Sequence, residues 1–150
     1  VRPLWESLAT ELVRLQGSAG EELLDVAGQT LPSEDAAAPP RLLPMWDSIL
    51  LVYADRRRVL PEEYRKSITR SNGDTLPTLL VDGHVAGVWR PTDEGIEATA
   101  FRPLTDVEWD GLESEARALR SFLAAREATV YRRYARWWDR LPAGEVRRLA

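Results

Sequence analysis

The Asp82-Gly83 pair restricts the fold more than any other feature of the chain. Both residue types tolerate positive φ, and together they favour the tight type I′ turn that joins two antiparallel strands. Largely apolar runs flank the pair at positions 76–81 and 85–90, so a hairpin is predicted there. Pro91 is expected to end the returning strand, because proline donates nothing to a ladder. A second turn at Asp93-Glu94-Gly95 leads into residues 96–101, where Ile96, Ala98 and Ala100 alternate with Glu97 and Thr99. The outcome is a three-stranded antiparallel meander. Strands this short need a further layer to cover a face.

Helical layers are predicted on the C-terminal side. Thr105 and Glu108 have capping-box spacing. Behind them Trp109, Leu112, Ala116, Leu119 and Leu123 recur every three or four residues. A final helix at about 128–140 turns Val130, Tyr134, Trp137 and Trp138 inward, with Arg132, Arg133, Arg136 and Arg140 over the remainder. Upstream of the meander, residues 43–53 are apolar at almost every position past Ser48. Periodicity leaves a buried strand and a short buried helix both open, and Asp47 suits a helix cap. Residues 3–15 read as an amphipathic helix with Trp5, Leu8, Leu12 and Leu15 on one face, ended by Gly17 and Gly20 and followed by a short strand at 22–26. Helix, glycine-bearing turn and strand fit the tail of a winged helix.

The expected class is therefore α+β. Residues 1–27 form a winged-helix remnant, and 28–41, with Pro32, Pro39 and Pro40, form a linker. Residues 42–104 form a small antiparallel β-barrel or curled sheet, closed by two C-terminal helices in 105–150. The chain opens on Val1 almost directly into a helix pattern, which reads as a cut from a longer polypeptide.

The chain has no cysteine, which excludes a disulfide framework, a thiolate metal site and a cysteine nucleophile, and which fits a reducing, cytoplasmic setting. No apolar run approaches the roughly 18 residues of a membrane span, so no membrane partner is expected. The net charge of -4 argues against indiscriminate nucleic-acid binding by the whole surface. The charge is uneven, however. Residues 41–90 carry eight basic and six acidic groups, and 116–150 carry nine and three, whereas 1–40 and 91–115 are acidic.

Catalytic constellations are weak. His84 is the only histidine, and as a residue flanking a tight turn it is expected at the surface. A metal site built on it would need carboxylates, so neither metal nor cofactor is expected. Adjacent carboxylates such as Glu62-Glu63 read as solvated helix starts. No phosphate-cradling glycine loop is present. The basic cluster Arg56, Arg57, Arg58, Arg65, Lys66 and Arg70 has two readings. It contacts a phosphate backbone, with His84 on the nearby hairpin as a probe, or it pairs with Asp55, Glu62 and Glu63.

The order of motifs is also informative: residues 43–51 (LPMWDSILL), Ala54-Asp55-Arg56, Leu60-Pro61, Asn72-Gly73 and residues 80–89 (LVDGHVAGVW). This set resembles the C-terminal half of the winged-helix DNA-binding family typified by the azinomycin-resistance and interstrand-crosslink DNA glycosylases. The resemblance covers nearly the whole chain. It implies tandem winged helices followed by a barrel-like domain, and metal-free hydrolysis of the N-glycosidic bond of alkylated or crosslinked bases. It implies DNA and the N-terminal winged-helix domains of the same polypeptide as partners. The family's catalytic motif is a glutamine, an apolar residue, then glutamine or aspartate. Gln16 is followed by Gly17-Ser18 and Gln29 by Thr30-Leu31, so neither begins that motif. No catalytic residue is carried over. Any catalysis is expected in an N-terminal part, with this chain as an accessory DNA-binding module or, alternatively, a packing module that never touches DNA.

Overall fold

In the computed structural model, residues 6–17, 20–124 and 131–150 are described. The chain divides into two compact units, Val1–Ala36 and Ala37–Ala150.

The first unit is a hairpin. Strand β1 (Leu12–Gln16) pairs antiparallel with β2 (Glu22–Val26), Leu12 opposite Val26 and Gln16 opposite Glu22. The predicted strand at 22–26 is present. The predicted helix over 3–15 is corrected: Glu6 and Ser7 are helical, a turn follows, and Leu12 onward is strand. Trp5 and the start of that helix lie outside the described residues. The short run LVRLQ satisfies both periods, and the ladder to β2 prevails because it pairs backbone groups along all five residues. Gly20, at φ 82, takes the left-handed conformation that the connecting turn requires.

The second unit is a five-stranded antiparallel sheet in the order β3 (Arg41–Leu43), β4 (Thr78–Val81), β5 (His84–Thr92), β6 (Gly95–Ala100), β7 (Glu145–Leu149). The β4–β6 meander forms as predicted. Asp82 at φ 50 and Gly83 at φ 72 give the type I′ turn its two positive φ values. Among the described residues the sheet is open, with β3 and β7 as its edges. Among these residues it is the curled-sheet alternative and not a closed barrel that is seen.

Two strand details depart from expectation. Pro91 does not end β5, which continues to Thr92 opposite Gly95. On the β4 side the last bond is from the Trp89 amide to the Pro77 carbonyl at 3.1 Å, and no pairing continues beyond it, so the missing N–H of Pro91 costs no bond there. The register also skips Ala86, with Leu80 opposite Val85 and Leu79 opposite Gly87. This bulge puts Val85 and Val88 on the same face.

Both faces of the sheet are covered. On one side lies α3 (Asp106–Leu123), whose Trp109, Leu112 and Ala116 bury against Leu79, Ala86, Trp89, Ala98 and Leu149. On the other lie α1 (Ser48–Leu51), α2 (Glu62–Ile68) and a 3₁₀ segment (Arg132–Arg140). They supply Leu50, Ile68 and Trp138 to a second core with Leu60, Leu76, Val85 and Val88. The ambiguous stretch 43–53 is thus both things in turn, a strand to Leu43 and then a helix. Asp47 caps that helix by accepting from the Ile49 amide at 2.9 Å.

The C-terminal region is only partly helical. The expected helix over 128–140 is a 3₁₀ segment from Arg132, and Val130 lies outside the described residues. Residues 145–149 form β7 on β6, with Leu149 opposite Ile96 and Val146 opposite Thr99. The sequence EVRRL hid this strand because an edge strand half-facing water needs few apolar residues. Leu149 is buried while Val146 is 57% exposed. Arg147 from β7 lies 4.6 Å over the Trp109 ring and links the edge to α3. No helix among the described residues is long and apolar enough to cross a membrane.

The start of α3 generates an expectation for stability. Thr105 accepts from the Glu108 amide at 3.2 Å, and Glu108 accepts from the Thr105 amide at 2.7 Å, completing the capping box. The Arg102 guanidinium, 2.7 Å away, and then the Thr105 amide hold the Glu108 carboxyl down at about 2, against 4.5 ordinarily. A lowered carboxyl pKa stabilises the fold above its unfolded value and loses that contribution as pH falls towards the folded value. Replacing Thr105 by alanine is expected to cost about 1 kcal/mol, read as a lower Tm. The penalty of Glu108→Gln should be full at neutral pH and shrink as pH drops from 4.5 to about 2; an unchanged penalty across that window would contradict the assignment.

Candidate nucleic-acid interface

The loop from α1 to α2 carries the basic cluster. Arg56 folds back on α1: its Nε donates to the Tyr53 carbonyl at 3.0 Å and its Nη2 to the Leu51 carbonyl at 3.5 Å. A guanidinium there satisfies carbonyls that the helix end leaves open. The Val59 and Leu60 amides both donate to the Arg56 carbonyl, at 2.9 and 2.7 Å, and tighten the chain into a turn. Leu60 is buried, so the turn is anchored in the second core.

A cleft of about 410 Å³ opens over this turn, lined by Ala54, Asp55, Arg56, Arg57, Leu60, Glu62 and Arg65. Three arginines and two carboxylates thus share one concavity. Arg57 grips Asp55 side-on, with Nη2–Oδ2 at 2.5 Å and Nε–Oδ1 at 3.0 Å. That side-chain pairing, with the Arg57 backbone amide, holds the Asp55 carboxyl down at about 2. Arg65 and Glu62 pair at 3.5 Å, one helical turn apart. Arg58 and Lys66 are exposed and have no carboxylate partner among the described residues. The ion-pair reading of the cluster therefore holds for Arg57 and Arg65, while Arg58 and Lys66 remain available to an outside anion.

His84, the first residue of β5, is exposed beside the Asp82-Gly83 turn, and its Nδ1 donates to the Asp82 carbonyl at 2.7 Å. One backbone bond ties this hairpin to the arginine turn: the Val85 amide donates to the Val59 carbonyl at 2.7 Å. Arg58 and His84 each adjoin a residue of that bond, so the two predicted features occur side by side. Arg70 is elsewhere. Half-buried at the end of α2, it lays its guanidinium 4.8 Å from the Trp137 ring centroid, and its Nε has no hydrogen-bond partner among the described residues. Sequence proximity grouped Arg70 with the others; its packing role depends on a ring 67 positions later.

Among the described residues no group of three or more His, Cys, Asp or Glu converges as a metal site. Gln16 lies in β1 and Gln29 in an irregular stretch, both exposed.

The cleft generates its own expectation. Asp55 occupies Arg57 as a phosphate oxygen would. Removing its charge with Asp55→Asn should weaken that clamp, leave the cleft one negative charge poorer, and raise affinity for a polyanion at low salt by roughly three- to ten-fold, in line with the strength of charge-assisted contacts. Heparin-column retention or DNA titration would read this, and weaker binding by the variant would refute it.

The family model of AlkZ-like DNA glycosylases matches residues 1–122. The interstrand DNA cross-link repair glycosylase of Streptomyces sahachiroi is 32% identical over 113 residues, covering 67% of this chain and 30% of that protein. The solved structure of the Streptomyces sahachiroi DNA glycosylase AlkZ superposes with a TM-score of 0.67 at 23% identity, over 85% of this chain and 35% of that one. The chain thus shares that fold and spans about a third of the length of these relatives. The protein belongs to the AlkZ-like DNA glycosylase family.

Proposed function

We propose that this chain is the C-terminal, DNA-contacting part of a larger DNA-repair glycosylase that acts on alkylated or crosslinked bases. The observation that carries the reading is the adjacency of the arginine turn and the hairpin, joined by the Val85–Val59 backbone bond. Arg58 and Lys66 supply free positive charge to a phosphate backbone. Arg56, Arg57 and Arg65 line the cleft beside them, and His84 on the hairpin is a probe of the groove. Arg70 contributes by holding the loop after α2 against Trp137. The hairpin β1–β2 after a helical turn is the wing end of a winged-helix unit, and catalysis belongs to residues of the polypeptide outside this chain. The division of labour follows from the chemistry. Hydrolysis of an N-glycosidic bond needs a base held out of the stack, and backbone contacts on both sides of the lesion stabilise the distorted DNA that presents it.

A second reading, a module that packs on other domains without touching DNA, draws support from the Arg57–Asp55 and Arg65–Glu62 pairs and from the net charge of -4. Titration of the chain against a short labelled duplex at increasing salt separates the two. DNA contact requires an affinity that falls steeply with salt. Arg58→Ala with Lys66→Ala should weaken it and reduce the log–log salt slope by roughly 2, about 0.9 for each phosphate that is no longer neutralised. Absence of binding at low salt would leave the packing module.

A further inference from the structure

Beside the cleft the chain exposes two apolar residues in succession, Val52 at 70% and Tyr53 at 61%. They follow α1, whose Leu50 is fully buried, so the loop leaves a fixed helix end. Both Arg56 bonds, to the Leu51 and Tyr53 carbonyls, hold that loop to the cleft arginine. The backbone of Tyr53 is therefore held by the same arginine that lines the cleft, while its ring has no aromatic or hydrogen-bonding partner among the described residues. The other three tyrosines contrast with it. Tyr64 meets Phe101 at 5.1 Å, Tyr131 meets Trp89 at 6.1 Å and Tyr134 meets Trp137 at 5.0 Å, all edge-on and at least half-buried.

An exposed ring on a fixed loop next to cationic groups has a specific complement. A nucleobase offers a π-face to the ring and its phosphate offers charge to the arginines. An apolar protein partner would match Val52 and Tyr53 but would supply no anion to Arg56, the cleft guanidinium that bonds only main-chain carbonyls among the described residues. In an intact duplex the base faces are stacked on one another and inaccessible to a side chain. We propose that Tyr53 is a base-stacking platform, and that this surface takes an unpaired nucleotide with its phosphate in the Ala54–Arg65 cleft. The inference rests on the DNA-contact reading above and adds to it a preference for single-stranded or locally opened nucleic acid over intact duplex. In a glycosylase such a platform would hold a strand that is unstacked near the lesion.

The test measures binding of the 150-residue chain and its Tyr53 variants to three labelled probes at low salt: a short single strand, the matching duplex, and the same strand built wholly of abasic sugar-phosphate. The expected pattern is tighter binding of the single strand than of the duplex, a loss of roughly ten-fold for Tyr53→Ala on the single strand, and retention by Tyr53→Phe and Tyr53→Trp, as stacking aromatics behave. On the abasic strand Tyr53→Ala should change nothing, which separates stacking from a folding defect. An equal loss on the abasic strand, or no loss on any probe, overturns the platform. If Arg58→Ala and Lys66→Ala still weaken binding in that case, the phosphate surface stands without it. If the unaltered chain binds none of the probes, both readings fall.

Discussion

The turn at Asp82-Gly83 is the constraint from which the larger unit is built. Its two positive φ values give the connection the right-handed twist that β4 and β5 need, and a residue less tolerant of φ above zero would splay them. From there β5 serves as the central strand. It pairs β4 on one side and β6 on the other, and the bulge at Ala86 redistributes its side chains between the two cores. The first residue after His84 also donates its amide to Val59. The same hairpin that organises the sheet therefore positions the arginine turn, and displacing one would displace the other.

Electrostatics at that turn are balanced closely enough to be useful. Exposed ion pairs of the Arg57–Asp55 and Arg65–Glu62 kind are screened by water and salt, so they add little to stability and cost little to exchange. A phosphate in the cleft would exchange one carboxylate partner for another anion. In the free protein the carboxylates keep adjacent guanidinium groups from repelling one another. Arg56 plays a different part, because its bonds to main-chain carbonyls shape the loop.

The family relation and the site geometry bear on different scales. A fold shared at a TM-score of 0.67 with 23% identity means that the sheet and its covering helices persist while most side chains differ. Only the fold is carried by that likeness. The local arrangement of Arg58, Lys66, Tyr53 and His84 comes from this chain's own side chains, two of them on the loop between α1 and α2, one in α2 and one at the start of β5.

Much of the architecture was legible in the residue order. Type I′ turn chemistry, the alternation of Ile96, Ala98 and Ala100, the capping box at Thr105 and the Asp47 cap are local signals, each set by steric or hydrogen-bonding preferences within a few residues. The strand at 12–16, the continuation of β5 through Pro91 and the edge strand at 145–149 were not legible. Each depends on whether a partner strand runs alongside, and the sequence of a short half-exposed strand carries little trace of its partner. The candidate site divides in the same way. That basic residues concentrate between positions 56 and 70 is a property of the sequence. Which of them are spent on Asp55, Glu62, main-chain carbonyls or the Trp137 ring, and which remain free, was decided only by tertiary structure, because side-chain partners are set by distances in space between residues far apart along the chain.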